Sequence, residues 1–210
     1  MTTATAPIPT APSTLADLLP RSRVRTVALV VGFALLTAVA AQLTIPLPWT
    51  PVPVTGQTFA VLLAGATLGW RAGGASQLLY VLLGAVGLPF YADGDSGWQV
   101  ATGATGGYLV GFVVAAALVG LLAERHQDRS VITAVPAMLA GTAIIYVFGV
   151  TWLAHVLGAD ATTALEKGLL PFVIGDAVKL VVAGALFPAV WRMATDGDEK
   201  DREGKHKRVG

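Results

Sequence analysis

Two charged side chains three residues apart, Asp176 and Lys179, stand inside an apolar stretch of membrane-crossing length, in Pro171-Phe-Val-Ile-Gly-Asp-Ala-Val-Lys179. No other charges lie well inside a membrane-length segment of this chain. On a helix this spacing projects both side chains from one face, so they can neutralise each other or share one polar guest. An ionisable group at bilayer depth costs about 3 kcal/mol or more, so such residues face a protein interior or a watery cavity. A carboxylate accepts hydrogen bonds and an ammonium donates three, which suits a small amphipathic acid carrying urea-like or amide N–H groups. The plainer reading is a structural ion pair, but desolvation offsets most of the attraction in such pairs. Ligand binding is the expectation.

The elements that must position this pair are membrane helices. Hydrophobic residues make up 54% of the 210 and charged residues only 13%, against roughly 25% charged in soluble domains. Mean hydropathy is +0.68. The length allows about six spans of about 20 residues each with short connections. The expected fold is therefore all-α, a polytopic six-transmembrane-helix bundle. Three parts are expected along the chain: a mobile, Pro-rich tail at 1–20, the transmembrane binding domain at 21–194, and a charged tail at 195–210. The first span serves as an uncleaved signal in this reading.

The spans are read at about residues 24–45, 55–68, 75–88, 104–123, 131–157 and 168–193. Ala34, Ala38 and Ala41 form a small-residue stripe on the first, suited to close packing within the bundle or to docking another subunit. Pro46, Pro48, Pro51 and Pro53 then force an extended connection. The second span opens with Gln57 and Thr58, which can bind a ligand or cap a helix. From 89 to 103 runs a long loop holding Phe90, Tyr91 and Trp98, which reads as a lid over a pocket. Gly107, Gly111 and Ala115 recur every four residues on the fourth span as a close-packing face.

Of the 14 basic residues, twelve fall on one side of this topology; Lys167 stands on the other and Lys179 lies within a span. That bias predicts cytoplasmic N and C termini. The five tryptophans all fall near span ends or in loops, as an interfacial belt requires. Counting from residue 168 at about 1.5 Å per residue, Asp176 lies roughly 12 Å into the last span and Lys179 roughly 16 Å. The pair, the Pro-rich connection and the long loop converge on one outward-facing pocket.

Several chemistries find no support. There is no Gly-x-x-x-x-Gly-Lys-[Ser/Thr] loop, since Gly204-Lys205 is followed by His206, so energy for transport must come from a partner or an ion gradient. With no Cys and three dispersed His, neither a zinc site nor a nucleophile–base pair is read. Asp93 and Asp95 lack the rest of an EF-hand pattern. No enzyme activity, cofactor, metal or nucleic-acid partner is expected.

Four segments carry a family resemblance that covers nearly all of 25–193: Pro51-Val-Pro-Val-Thr-Gly-Gln-Thr58, Tyr80-Val-Leu-Leu-Gly-Ala-Val-Gly-Leu-Pro-Phe90, Thr105-Gly-Gly-Tyr108 and Pro171-Phe-Val-Ile-Gly-Asp-Ala-Val-Lys179. Together and in this order they resemble the biotin-specific S components, the BioY family, of energy-coupling-factor (ECF) vitamin transporters. Ala104 stands where the family's usual motif has Pro. The resemblance implies a six-helix subunit in a bacterial cytoplasmic membrane that binds biotin from outside. It also implies a transmembrane coupling subunit and two ATP-hydrolysing subunits as partners. It places Asp176 and Lys179 in the biotin site and assigns Ala34 and Ala38 to the coupling contact. Gln57, Phe90, Tyr91 and Tyr108 are further ligand candidates by their outer-side position and chemistry. Two rival classes are an ion-coupled secondary transporter that works alone and a membrane scaffold without a ligand.

Overall fold

The computed structural model describes the backbone of residues 12–20 and 22–209, and side chains as far as residue 194. Helix α1, Arg23–Ala41, starts on Ser22, whose hydroxyl accepts the Arg25 N–H at 3.0 Å. It stops short of the predicted residue 45 because Thr44–Ile45 (β1) pairs antiparallel with Val54–Thr55 (β2), Thr44 opposite Thr55. The four prolines between them lack the N–H a helix needs, and they form the loop of this small hairpin.

The second and third predicted spans both fall in α2, Gln57–Ala85, which reverses at Gly69 (φ +81, ψ 176). A Cβ on Gly73 would lie 2.8 Å from the Gly65 Cα, whereas residues eight apart in a straight helix are separated by about 12 Å. The two halves therefore run antiparallel. A side chain at Gly69 would be strained by its positive φ and would also meet Glu124. Across the junction a Cβ on Gly120 would meet the Gly69 carbonyl carbon at 2.4 Å, so α4 crosses α2 with backbone against backbone.

After α2 come a short α3 (Trp98–Ala101), then α4 (Gly106–Glu124), α5 (Val131–Leu157), α6 (Ala161–Gly168) and α7 (Val173–Val209). Among the described residues four helical runs, Arg23–Ala41, Gly106–Glu124, Val131–Leu157 and Ala161–Ala194, are long and apolar enough to cross a membrane; the α2 halves either side of Gly69 are shorter. Gly107 and Gly111 bury against Trp152 and Ile145 of α5, as their spacing predicts. The stretch after α5, expected as a loop, holds α6, opened by Asp160, which accepts the Thr163 N–H at 3.1 Å. Hydrogen bonding from the Thr163 side chain, and then from its backbone N–H, holds the Asp160 carboxyl below the usual carboxylate range.

Three expectations change. Ala34 (0% exposed) and Ala38 (6%) are buried in the bundle core, so these two side chains serve packing and present no surface to another subunit. The mobile-tail expectation for 1–20 falls largely on 1–11, outside the described residues. Within the described part, Leu15–Leu18 forms a 3-10 turn whose Ala16 is buried, held by Arg25 through the Ala16 and Leu19 carbonyls at 2.9 and 2.6 Å. Trp191 is buried and donates to Asp128 at 2.6 Å, so it does not join Trp49, Trp70, Trp98 and Trp152 on the surface. Burial raises the Asp128 carboxyl above its ordinary pKa, opposed by the Trp191 hydrogen bond. The tail at 195–210 is helical in backbone to Val209, and its charged side chains lie outside the described residues.

Gly120→Ala is expected to destabilise the fold by about 1–3 kcal/mol, because a methyl group there must displace backbone. Gly32→Ala, with nothing within 4 Å of its Cβ, is expected to be neutral or stabilising by about 0.5–1 kcal/mol. Thermal unfolding in detergent checks both, and equal effects would contradict the fold-back packing.

Candidate functional site

Helix polarity brings one set of loops together: the ends of α1 and the second half of α2, the starts of α2, α4 and α7, and the hairpin between β1 and β2. Here the aromatic core gathers Tyr80, Tyr91, Tyr108, Phe112 and Phe172. A cavity of about 330 Å³ opens among them, within the ~300–1,000 Å³ range of small-molecule sites. Its walls come from the Pro-rich loop, from Thr55, Gln57 and Tyr80 of the β2–α2 region, from the loop at Tyr91 to Asp95, and from Tyr108 and Phe112 of α4.

The sequence candidates divide here. Gln57, Tyr91 and Tyr108 line the cavity. Phe90 does not; its ring stacks on Tyr80 at 6.5 Å and backs the wall from behind. Tyr91 is buried, with its hydroxyl donating to the Val81 carbonyl at 2.7 Å, and burial pushes its phenol up to about 12. The Gln42 amide holds the Tyr91 carbonyl at 3.0 Å, so the expected lid is pinned to α1 and α2 by ordered contacts. Tyr108 is buried, and its hydroxyl donates to the Gly168 carbonyl at 2.6 Å, which fixes the approach to α7.

Asp176 and Lys179 form the expected ion pair, Nζ to Oδ1 at 2.8 Å, beside the cavity and not in its wall. Leu170–Phe172 makes a 3-10 turn and α7 starts at Val173, so Asp176 stands in the first turn of that helix, about 5 Å from its start. A carboxylate in the first turn of a helix is favoured by the backbone dipole. An ammonium has three N–H groups, and Lys179 uses all of them, on the Thr55 carbonyl (2.7 Å), the Thr58 hydroxyl (3.0 Å) and Asp176. Asp176 also accepts from Thr58 at 3.1 Å and, on its other oxygen, from the Tyr146 hydroxyl at 2.5 Å.

A hydrogen-bonded path joins this network to the cavity. Thr55, which gives its carbonyl to Lys179, donates its hydroxyl to Gln57 Oε1 at 2.8 Å, and Gln57 Nε2 donates to the Tyr80 hydroxyl at 2.5 Å. Tyr80 and Tyr146 were not singled out from the sequence. Each carried a signal: Tyr146 sits mid-span in α5, away from the interface where tyrosines usually stand, and Tyr80 lies inside one of the family-like segments.

Fold and site together define a multi-pass membrane protein with an ordered small-molecule cavity at one end. The chain belongs to the BioY family, whose model matches residues 11–196. The biotin transporter BioY of Thermotoga maritima is 42% identical over 154 residues, 73% of this chain and 88% of that one. The biotin transporter BioY of Rhizobium etli is 37% identical over 164 residues, 75% of this chain and 87% of that one. In architecture the chain is similar to a solved S-component for biotin from an ECF-type ABC transporter, with TM-score 0.74, 23% identity, and coverage of 81% of this chain and 92% of that one.

Lys179→Met leaves the Asp176 carboxylate buried without its counter-charge and is expected to cost about 3–5 kcal/mol. Joining it to Asp176→Asn should restore much of that loss, measured as detergent-solubilised unfolding. Simple additivity of the two single losses would contradict direct coupling within the network.

Proposed function

We propose that this chain is the biotin-binding membrane subunit of an ECF-type importer in a bacterial plasma membrane. The observation that carries the reading is the placement of an aromatic and amide-lined cavity against the Asp176–Lys179 network, in a chain of the BioY family. Biotin matches both surfaces. Its thiophane ring and valeryl chain suit the walls formed by Tyr91, Tyr108 and Phe112, and its ureido and carboxylate groups need the polar side chains.

The donor inventory constrains how it binds. Because all three Lys179 N–H groups are engaged within the chain, an incoming carboxylate takes one from the Thr55 carbonyl or the Thr58 hydroxyl. Asp176 receives a ureido N–H in place of an internal donor, while Gln57 orients the ring from the cavity side. Ligand entry thereby exchanges hydrogen bonds without leaving either charge bare, which keeps the desolvation penalty low.

Orientation follows from the arginines: the end bearing Arg23, Arg71 and Arg125 faces the cytoplasm and the cavity faces out. Without a phosphate-binding loop of its own, the chain takes its energy from a transmembrane coupling subunit and two ATP-hydrolysing subunits. Its surface for the coupling subunit lies elsewhere than Ala34 and Ala38, which are buried.

Reconstituted alone in vesicles, the chain is expected to bind biotin one to one and to accumulate none; accumulation requires the coupling and ATP-hydrolysing subunits. Uptake by the chain alone that an ionophore collapses would establish the secondary-transporter class instead. Lys179→Ala is expected to weaken biotin by about tenfold or more and a biotin amide much less, as loss of a charge-assisted hydrogen bond requires. Equal losses for both ligands would remove the Lys179–carboxylate contact.

A further inference from the structure

At the opposite end of the bundle, a groove of about 920 Å³ runs between the first turns of α1, the turn-back of α2 and the packed segment around Leu15–Leu18. Its rim carries three guanidinium groups, Arg23, Arg25 and Arg71, against two carboxylates, Asp17 and Glu124. Both carboxylates are engaged by the chain itself: Asp17 accepts from Ser13 and Thr14, and Glu124 from the Trp70 N–H at 3.1 Å. Arg25 holds the Ala16 and Leu19 carbonyls through Nη1, while its buried Nε has no acceptor. Among the described residues Arg23 and Arg71 have no carboxylate partner, and Arg71 lies over the Trp70 ring at 4.9 Å.

The apolar part of the lining is Ala16, Val27, Leu29, Leu68 and Ala72. It continues along the exposed face of α1 through Val27 (63% exposed) and Val31 (39%), one helical turn apart. A positively charged rim on an apolar track that runs into the membrane matches a molecule with an anionic head and an acyl chain. A soluble anion would leave the track empty, and a zwitterionic head would carry its own cation to the arginines.

We propose that this groove binds one anionic phospholipid, with its phosphate between Arg23 and Arg71 and an acyl chain along Val27 and Val31. The lipid neutralises the Arg23 and Arg71 guanidinium groups, which have no carboxylate partner among the described residues. It also covers the seam where α1, the α2 reversal and the N-terminal segment meet.

The test is native mass spectrometry of the full chain from mixed micelles containing phosphatidylglycerol or phosphatidylcholine, with sn-glycerol 1-phosphate as the soluble competitor. One phosphatidylglycerol per chain is expected to be retained in preference to phosphatidylcholine. Arg23→Gln and Arg71→Gln should each weaken it about fivefold, the value of one basic residue at an anionic surface. Arg125→Gln removes the same charge at the same end of the bundle but outside the groove, and should leave retention unchanged. No preference for phosphatidylglycerol in the unaltered chain, an equal loss in Arg125→Gln, or displacement by equimolar glycerol phosphate would each overturn the proposal.

Discussion

One ion pair, Asp176 with Lys179 on α7, organises the architecture at the cavity end. Asp176 and Lys179 are costly to hold away from water, and their mutual attraction alone does not offset that cost. The surrounding chain supplies what is missing. Thr55 comes from β2, Thr58 from the first turn of α2, and Tyr146 from the middle of α5. Satisfying two charges on α7 therefore fixes the positions of three other elements. The hairpin, whose loop walls the cavity, is tied to α7 through the Thr55 carbonyl. The site and the fold share the same hydrogen bonds.

That sharing explains why the cavity and the charges lie side by side. The cavity is lined by the Pro-rich loop and small or aliphatic residues together with Tyr80, Tyr91, Tyr108, Phe112 and the Gln57 amide, with Asp93 and Asp95 at its loop side. The charges behind Thr55 are already neutralised. In the proposed binding mode a ligand gains the ammonium only by offering a better acceptor than Thr55 or Thr58. Tyr108 and Thr50 keep this arrangement in place by binding the Gly168 and Lys167 carbonyls at 2.6 and 2.7 Å, which sets where α7 begins.

Much of this was legible in the residues. Charges inside an apolar run marked the Asp176–Lys179 network, because few physical reasons keep an ionisable group there. Proline and glycine punctuation located the connection after α1, though not its β1–β2 pairing, the start of α4 and the long loop, and α5 has the bounds read from the sequence. The facing of helices was not legible. In α1 apolar residues surround the axis, so the sequence cannot tell the side toward lipid from the side toward protein, and Ala34 and Ala38 proved to face inward. Trp191 was misplaced for a related reason: a tryptophan near a span end suits the interface equally well as a buried partner for Asp128. Tyr146 and Tyr80 act through long-range contacts, 30 residues from Asp176 and 23 from Gln57, which no local spacing reports.

The central claim is that the Asp176–Lys179 pair belongs to the ligand site and is not merely a brace for the bundle. Calorimetric titration of biotin into the purified Asp176→Asn, Lys179→Met double variant, beside the unaltered chain, tests it most directly. The account predicts a folded variant, because no unpaired charge remains, that gives no biotin heat under conditions where the unaltered chain binds one to one. A folded variant with unchanged affinity would contradict the account and reduce the pair to a structural role.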